Sequence, residues 1–268
     1  YQAGRFGEFK CGEAKLVEPW CYRHSNFQNW FTKDKTDPFT YIGCHYVDLV
    51  WFITGLRPVE VSVKGVEGTF PNGNAAHMWA TGVVTFENGA VLSVLTGLGY
   101  PDRGAGSNDQ GMNQFCEAPA PGTPGTAGTP GTPGSGDSGG VIRHDDQFRG
   151  VSHGYVDDSS GKHFGFINPD YFRLVPWDGE GLKPVGYGYD SIEANIAAAT
   201  RVAAHADDLA ERQNLLRQID ARGLIATPAN SSINELVVEA ARLSITHDGD
   251  RVKIAYGDAP HVGLASEV

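Results

Sequence analysis

Three titratable side chains stand at helical spacing in the segment that begins at Tyr41. His45 follows Tyr41 by four residues and precedes Asp48 by three, so a helix would carry them on one face. An imidazole suits a proton acceptor in the oxidation of an alcohol, because it titrates near neutral pH. Asp48 could fix its tautomer or bind substrate. The phenol of Tyr41 is a poorer base, since its ordinary pKa is about 10. A plainer interpretation leaves His45 bonded to a backbone carbonyl, with Asp48 favoured by the positive end of the helix.

An aromatic and polar run, Trp20–Trp30, is a second candidate site. Sugars are held by aromatic faces together with hydrogen-bonding side chains, and this run supplies both kinds of group. The predicted substrate contacts are Arg23, His24, Asn26 and Trp30. The alternative is a packed edge strand whose polar residues face solvent.

Other motifs in the chain are weaker. His144, Asp145 and Asp146 are adjacent in a predicted strand, so their side chains alternate between its faces and cannot converge on one ion, even with His153 nearby. We therefore predict no metal site. No G-x-S-x-G motif supports a hydrolase.

Two G-x-G triplets could suggest a dinucleotide site. Gly97-Leu98-Gly99 follows a strand but opens no helix, and Gly186-Tyr187-Gly188 is followed by no parallel β-α-β unit. We therefore predict that no Rossmann domain is present in this chain.

The elements that must position these residues follow from the hydrophobic pattern. A helix is expected from Cys44 to about Thr54, ended by Gly55 and Pro58. Residues 59–64 alternate as a strand should, and strands at 83–86 and 90–95 flank a hairpin turn at Asn88-Gly89. The strand at 90–95 is apolar or neutral on both faces. It should therefore be covered by helices on one side and by another protein surface on the other.

The remainder of the chain predicts further strands and then three helices. Residues 141–144 and 150–156 are strand-like, and helices are expected from Asp190, from Asp207 to Ala221 and from Ser232, where a capping-box pattern stands. A strand at 252–256 ends the pattern. The predicted fold class is α+β, with a largely antiparallel open sheet backed by helices on one face.

We expect one domain over residues 1–268, interrupted by a flexible Pro/Gly/Thr-rich loop at 118–140. That tract contains no aromatic residue and no aliphatic residue larger than alanine, so it cannot build a core. It is predicted to be a spacer rather than a site.

Charge and composition limit the partners. The chain has 268 residues, with 21 basic and 32 acidic side chains and a net charge of −11. Such a surplus argues against nucleic acid. No stretch approaches the roughly 20 apolar residues of a membrane span.

The four cysteines form no C-x-x-C pair and suggest reduced thiols in a cytoplasmic protein. Because the chain opens at Tyr1, we expect that a preceding segment is missing.

Several of these segments together resemble a known family. Residues 41–61 contain G-x-H-x-x-D at a helix start, a short helix, Gly-x-x-Pro and then a strand. With the hairpin at 82–97 and the helix at 234–244, this order resembles the C-terminal domain of the glucose–fructose oxidoreductase / inositol dehydrogenase (Gfo/Idh/MocA) family.

The resemblance implies an NAD(P)-dependent oxidoreductase that moves a hydride between a sugar or polyol and the nicotinamide. His45 would face the nicotinamide and the substrate hydroxyl as the acid/base, with Tyr41 and Asp48 as its neighbours. NAD or NADP would be bound mainly by an N-terminal Rossmann domain missing from this chain, and a homo-oligomer would form through the open sheet face.

Two departures from the family pattern leave alternatives open. Many members carry aspartate where this sequence has Tyr41, and the family's catalytic Glu-Lys-Pro tripeptide does not occur here. One alternative is a non-catalytic module that binds carbohydrate and assembles into oligomers. Another is a glycosidase relative that uses NAD.

Overall fold

The computed structural model describes residues 1, 6–104, 108–117, 139–145, 152–157, 173–185 and 188–267. The chain divides into two compact units, one of residues 1–167 with 233–268 and the other of residues 168–232. Most of the predicted loop at 118–140 lies outside the described residues, and its last two residues begin a strand. The single-domain assignment stays a prediction.

The described strands form a nine-stranded sheet in the first unit and a separate two-stranded sheet made of β8 and β9. They are β1 (Glu8–Pro19), β2 (Pro58–Thr69), β3 (Ala75–Phe86), β4 (Val91–Tyr100), β5 (Asp109–Glu117), β6 (Gly139–Asp145), β7 (Ser152–Asp157), β8 (Arg173–Pro176), β9 (Leu182–Val185), β10 (Val252–Ala255) and β11 (His261–Leu264). The order across the nine-stranded sheet is β11-β10-β2-β3-β4-β1-β5-β6-β7. Among these neighbours β1 and β4 run parallel, and the other described pairs are antiparallel.

Five α-helices accompany the strands in the described part of the chain: α1 (Phe27–Trp30), α2 (Cys44–Thr54), α3 (Tyr189–Ala203), α4 (Leu209–Arg222) and α5 (Pro228–Thr246). A 3-10 turn at Trp20–His24 precedes α1, and a π-helical turn at Phe39–Gly43 leads into α2. The mostly antiparallel sheet with its helices confirms the predicted fold class.

The core of the first unit lies between one face of the sheet and the helices α2 and α5. Val47 of α2 and Val237 of α5 belong to the same buried cluster as Leu92 and Val94 of β4. Ser93 and Leu95 alternate with these two residues on β4, so they point to the opposite face, and both are exposed. One sheet face is therefore covered by helices, while the opposite face is open in this chain.

The C-terminal end of α5 is hydrogen-bonded to the sheet. The buried hydroxyl of Ser244 accepts a hydrogen bond from the backbone N–H of Val63 at 2.8 Å and donates one to the carbonyl of Asp250 at 2.6 Å. A serine near the end of a helix thus satisfies a strand amide, which would otherwise be buried without a partner. This contact holds α5 against β2.

The second unit contains the β8–β9 hairpin, α3 and α4. The side chain of Asp208 caps α4, since its Oδ1 accepts a hydrogen bond from the backbone N–H of Glu211 at 2.9 Å. Large apolar side chains of this unit are exposed, among them Ile192, Ile196 and Leu216.

One alternative interpretation and one predicted helix start are wrong. The run Trp20–Trp30 is helical rather than an edge strand, and β1, which it follows, lies inside the sheet between β4 and β5. The third long helix begins at Pro228 rather than at Ser232. Asn230 accounts for that earlier start, because its Oδ1 accepts from the N–H of Thr227 at 2.8 Å and its Nδ2 donates to the carbonyl of Ile225.

Candidate active site

The predicted catalytic side chains lie on the outer face of one helical segment. Apolar residues of the π-helical turn and α2, such as Ile42 and Val50, are buried against the sheet. Tyr41 and His45 are exposed on the opposite side, and Asp48 is half-buried. The hydrophobic pattern therefore orients all three outward, as their spacing predicts.

A buried carboxylate anchors the start of this segment. Oδ1 of Asp37 accepts a hydrogen bond from the N–H of Thr40 at 2.9 Å, and Oδ2 accepts one from the Thr40 hydroxyl at 2.7 Å. The N–H of Tyr41 donates to the carbonyl of Asp37 at 3.0 Å. Arg242 of α5 completes the arrangement as the ion-pair partner of Asp37. The position of Tyr41 thus depends on a residue outside the sequence motifs.

Asp48 and His45 interact electrostatically on this face. Burial raises the pKa of the Asp48 carboxyl, while the nearby His45 lowers it by a smaller amount. The two side chains are thus close enough to influence each other, and the catalytic roles of Tyr41, His45 and Asp48 stay predictions.

Tyr41 is part of a cluster of aromatic rings. Its ring centroid lies 5.4 Å from those of Phe27 and Trp30 and 5.6 Å from that of Phe31. Burial, and then the negative charge of Glu18, raise the pKa of the Tyr41 hydroxyl above its usual value. The phenol therefore stays protonated at neutral pH and can donate a hydrogen bond.

Glu18 is a charged residue near Tyr41 that none of the sequence motifs indicated. It stands near the end of β1, opposite Leu98 of β4, and its charge also contributes to the raised pKa of the Cys21 thiol, after burial and Asp102. An acidic residue at a strand end, directly before an aromatic run, is the sequence feature that could have indicated it.

The structure does not bring all the predicted substrate contacts together. Trp30 lies beside Tyr41, whereas His24 and Asn26 are exposed, and Asn26 accepts a hydrogen bond from Asn29 at 2.8 Å. The guanidinium of Arg23 stacks on the ring of Trp20, 3.9 Å from its centroid, and its Nε donates to the carbonyl of Leu98. These substrate roles stay predictions.

The triplet Gly97-Leu98-Gly99 has a packing role. A Cβ atom at either glycine would collide with the indole of Trp79, which lies against β4 at this point. Both glycines therefore provide room for a flat aromatic ring. This finding explains a motif that otherwise suggests phosphate binding.

Within the described residues, no group of three or more histidine, cysteine, aspartate or glutamate side chains could hold a metal ion. None of the helices there is both long enough and apolar enough to span a membrane.

Comparison with known families identifies the first part of the chain. Residues 1–109 match the model of the GFO/IDH/MocA C-terminal domain. This stretch contains β1 to β4 and the helical segment with Tyr41, His45 and Asp48. The match agrees with the resemblance predicted from the sequence. No curated protein matches the chain.

Solved structures share the fold at low sequence identity. A Thermotoga maritima protein described as an oxidoreductase is 14% identical, with a TM-score of 0.54 over 94% of this chain and 57% of its own. Levoglucosan dehydrogenase in complex with NADH and levoglucosan is 16% identical, with a TM-score of 0.53 over 94% of this chain and 60% of its own. This chain thus spans less than two thirds of the length of either structure.

Proposed function

We propose that this chain, whose residues 1–109 match the model of the GFO/IDH/MocA C-terminal domain, is the substrate-binding part of an NAD(P)-dependent oxidoreductase. Its substrate would be a sugar, a polyol or a sugar derivative. The observation that supports this most directly is the exposed His45, close to Asp48 on the same helix face as Tyr41. The proposal extends to a cytoplasmic location.

His45 would act as the acid/base. In the direction of oxidation its imidazole takes the proton of the substrate hydroxyl, and in reduction it returns that proton. Asp48 would stabilise the charged ring and hold it in position. Tyr41, protonated at neutral pH, would donate a hydrogen bond to a substrate oxygen rather than accept a proton.

The aromatic cluster would form one wall of the substrate cleft. Trp30 and Phe27 present ring faces and edges next to Tyr41. Aromatic surfaces pack against the C–H face of a sugar ring. Glu18, at the end of β1, and Arg23, in the turn after it, would supply charged groups to this part of the cleft.

The same helix face could border a nicotinamide cofactor held by another domain. NAD or NADP, when bound, would supply the hydride acceptor or donor. Exposed Phe52, which follows Asp48 by one helical turn, extends this face as an apolar surface that fits a flat aromatic ring or a neighbouring domain. The Rossmann domain that would bind most of the cofactor remains part of the proposal.

The open sheet face would be the oligomerisation surface. Val83 on β3, Leu95 on β4 and Phe115 on β5 are exposed there. These strands lie close together in the sheet, and β1 separates β4 from β5. Large apolar side chains on neighbouring strands are a common feature of protein interfaces. A second copy of the chain is the proposed partner.

A turnover assay of the complete protein tests the proposal, with NAD or NADP and a panel of sugars and polyols. His45→Ala should lower kcat/KM by roughly 10²- to 10⁴-fold, because it removes the acid/base group. His247→Ala, a change at an exposed histidine near the end of α5, should leave turnover unchanged. Unchanged turnover in His45→Ala would contradict the assigned role.

One observation favours the non-catalytic alternative. Tyr41 stands where many family members have aspartate, and its raised pKa makes it unable to act as a base near neutral pH. If the wild-type protein bound sugars without oxidising any of them in the presence of NAD or NADP, the binding-module function would replace the enzymatic one.

A further inference from the structure

A cleft of about 620 Å³ lies beside the edge of the core formed by β2, β3 and the end of α5. Its lining includes Gly65 of β2, His77 of β3 and Thr246 of α5, and it contains none of Tyr41, His45 and Asp48. The volume falls within the roughly 300–1,000 Å³ that is typical of small-molecule sites. The cleft is therefore a separate candidate for ligand binding.

A buried histidine lines this cleft. His77 is only 5% exposed, and its Nδ1 is closed off from solvent without a hydrogen-bond partner among the described residues. Leaving a buried polar atom unpaired is costly. A ligand in the cleft that brought a hydrogen-bonding group to Nδ1 would offset that cost.

A glycine on β2, the strand paired with β3, leaves space for the imidazole of His77. A Cβ atom at Gly65 would collide with the ring of His77 and lie 2.8 Å from Cδ1 of Ile245. Any larger residue at position 65 would force the ring to move. Gly65 and His77 therefore depend on each other, and together they form an uncharged floor for the cleft.

Charges at the rim argue for a neutral ligand. Lys33 pairs with Glu67, and Lys64 pairs with Asp248, so both ammonium groups that line the cleft are already engaged. Asp34 adds a third carboxylate to the lining. An anion would have to break an ion pair and approach excess negative charge. A cation would find only Asp34 outside an ion pair, and that carboxylate already accepts a hydrogen bond from Thr32 and lies near the charge of Arg242.

Neutral hydrogen-bonding groups complete the lining. Burial lowers the pKa of His77, although Asp37 and Glu67 oppose that shift, and the ring is neutral at pH 7. A neutral imidazole has one donor and one acceptor nitrogen. Thr32, Thr246 and Asn74 add hydroxyl and amide groups. A ligand hydroxyl can match either tautomer of the ring, because it both donates and accepts.

We propose that this cleft binds a neutral polyhydroxylated molecule, a monosaccharide or a polyol, at a second site separate from the Tyr41–His45 face. The inference stands independently of the oxidoreductase function, since it uses other residues.

Titration of the ¹⁵N-labelled chain with myo-inositol, and then with D-glucose, tests the proposal by NMR of the His77 ring nitrogens. At least one probe should shift these signals in a saturable manner. His77→Phe, which keeps a ring but removes both nitrogens, should weaken binding roughly ten-fold as measured by calorimetry. Thr246→Val, at the exposed end of α5, provides a second variant if His77→Phe does not fold.

Three results would overturn the inference. The first is that neither probe shifts the His77 signals. The second is that inorganic phosphate shifts them while both neutral probes do not. The third is that His45→Ala abolishes binding while His77→Phe and Thr246→Val retain it. That last outcome would assign the sugar to the Tyr41–His45 face and leave the proposed function standing.

Discussion

Nη1 of Arg242 lies 3.1 Å from Oδ2 of Asp37 and thereby joins α5 to the start of the helical segment that carries Tyr41 and His45. Asp37 is fully buried, and the Arg242 side chain is 22% exposed. Nη2 of Arg242 also donates to the carbonyls of Lys33 and Asp34, at 3.3 and 3.2 Å. A C-terminal helix thus supports the candidate site through one guanidinium.

Replacing Arg242 by methionine should destabilise the protein by about 3–5 kcal/mol, because it leaves the carboxylate of Asp37 buried without its charged partner. Urea unfolding followed by circular dichroism measures the change. Arg251→Met is the matched control, since Arg251 is 70% exposed and lies 3.6 Å from Glu60. That control should cost less than about 1 kcal/mol. Equal losses in the two variants would contradict the role assigned to the buried pair.

The second prediction concerns Glu18 and the phenol of Tyr41. Glu18→Gln should lower the pKa of Tyr41, because the phenolate would no longer be repelled by a carboxylate. Ultraviolet titration of tyrosinate, taken as a difference from the same protein with Tyr41→Phe, isolates this residue. Glu13→Gln, an exposed change on the same strand, should leave the titration unchanged. An identical Tyr41 titration in Glu18→Gln and wild type would rule out the proposed interaction.

Alkaline pH should destabilise the protein through Cys44. Burial raises the pKa of its thiol from 9.0 to about 11. Between these values the unfolded chain loses the thiol proton while the folded chain keeps it. The contribution of this thiol to the free energy of unfolding is therefore fully present below pH 9 and is lost as the pH rises through 11. The loss attributable to this group is roughly 3 kcal/mol.

Urea unfolding at a series of pH values tests this effect. Cys44→Ala should flatten the decline of stability between pH 9 and 11, whereas Cys11→Ala, at an exposed cysteine, should not. The comparison uses the slope with pH, because removing a buried side chain also lowers stability at every pH. Parallel curves for wild type and Cys44→Ala would refute the prediction.

Self-association should depend on the open sheet face. Leu95→Glu places a charge at the centre of that face and should weaken association at least ten-fold, which is about 1.4 kcal/mol. Sedimentation velocity over a range of protein concentrations measures the effect. Leu216→Glu is a matched control in the second unit, where the leucine is 49% exposed compared with 41% for Leu95. A wild-type monomer at all concentrations would exclude this surface as a homo-oligomer interface.

Local patterns predicted the elements next to the site well. The helix at 44–54 has the bounds expected from its apolar spacing, and Gly55, with φ of 76°, ends it in the left-handed conformation. The hairpin between β3 and β4 turns at Gly89, where φ is 83°. In both cases a short stretch of residues contains the information that determines the structure.

Contacts between distant segments were not predictable in this way. Asp37 and Arg242 are 205 residues apart, and neither belongs to a motif that indicates the other. The helical turns at Trp20–Trp30 depend on ring packing with Tyr41 and Phe31, which overrides the strand preference of aromatic residues. The Gly65–His77 contact likewise depends on how β2 and β3 are aligned.

The packing of Trp79 on Gly97 and Gly99 has an evolutionary consequence. A larger residue at either glycine is sterically compatible with the fold only if the indole is lost, so the three positions should co-vary among homologues. Sequences that keep tryptophan at position 79 should keep both glycines whether or not they bind a nucleotide. Conservation of Gly97 and Gly99 would then indicate that Trp79 is kept in place, and it would not indicate that a protein binds a dinucleotide.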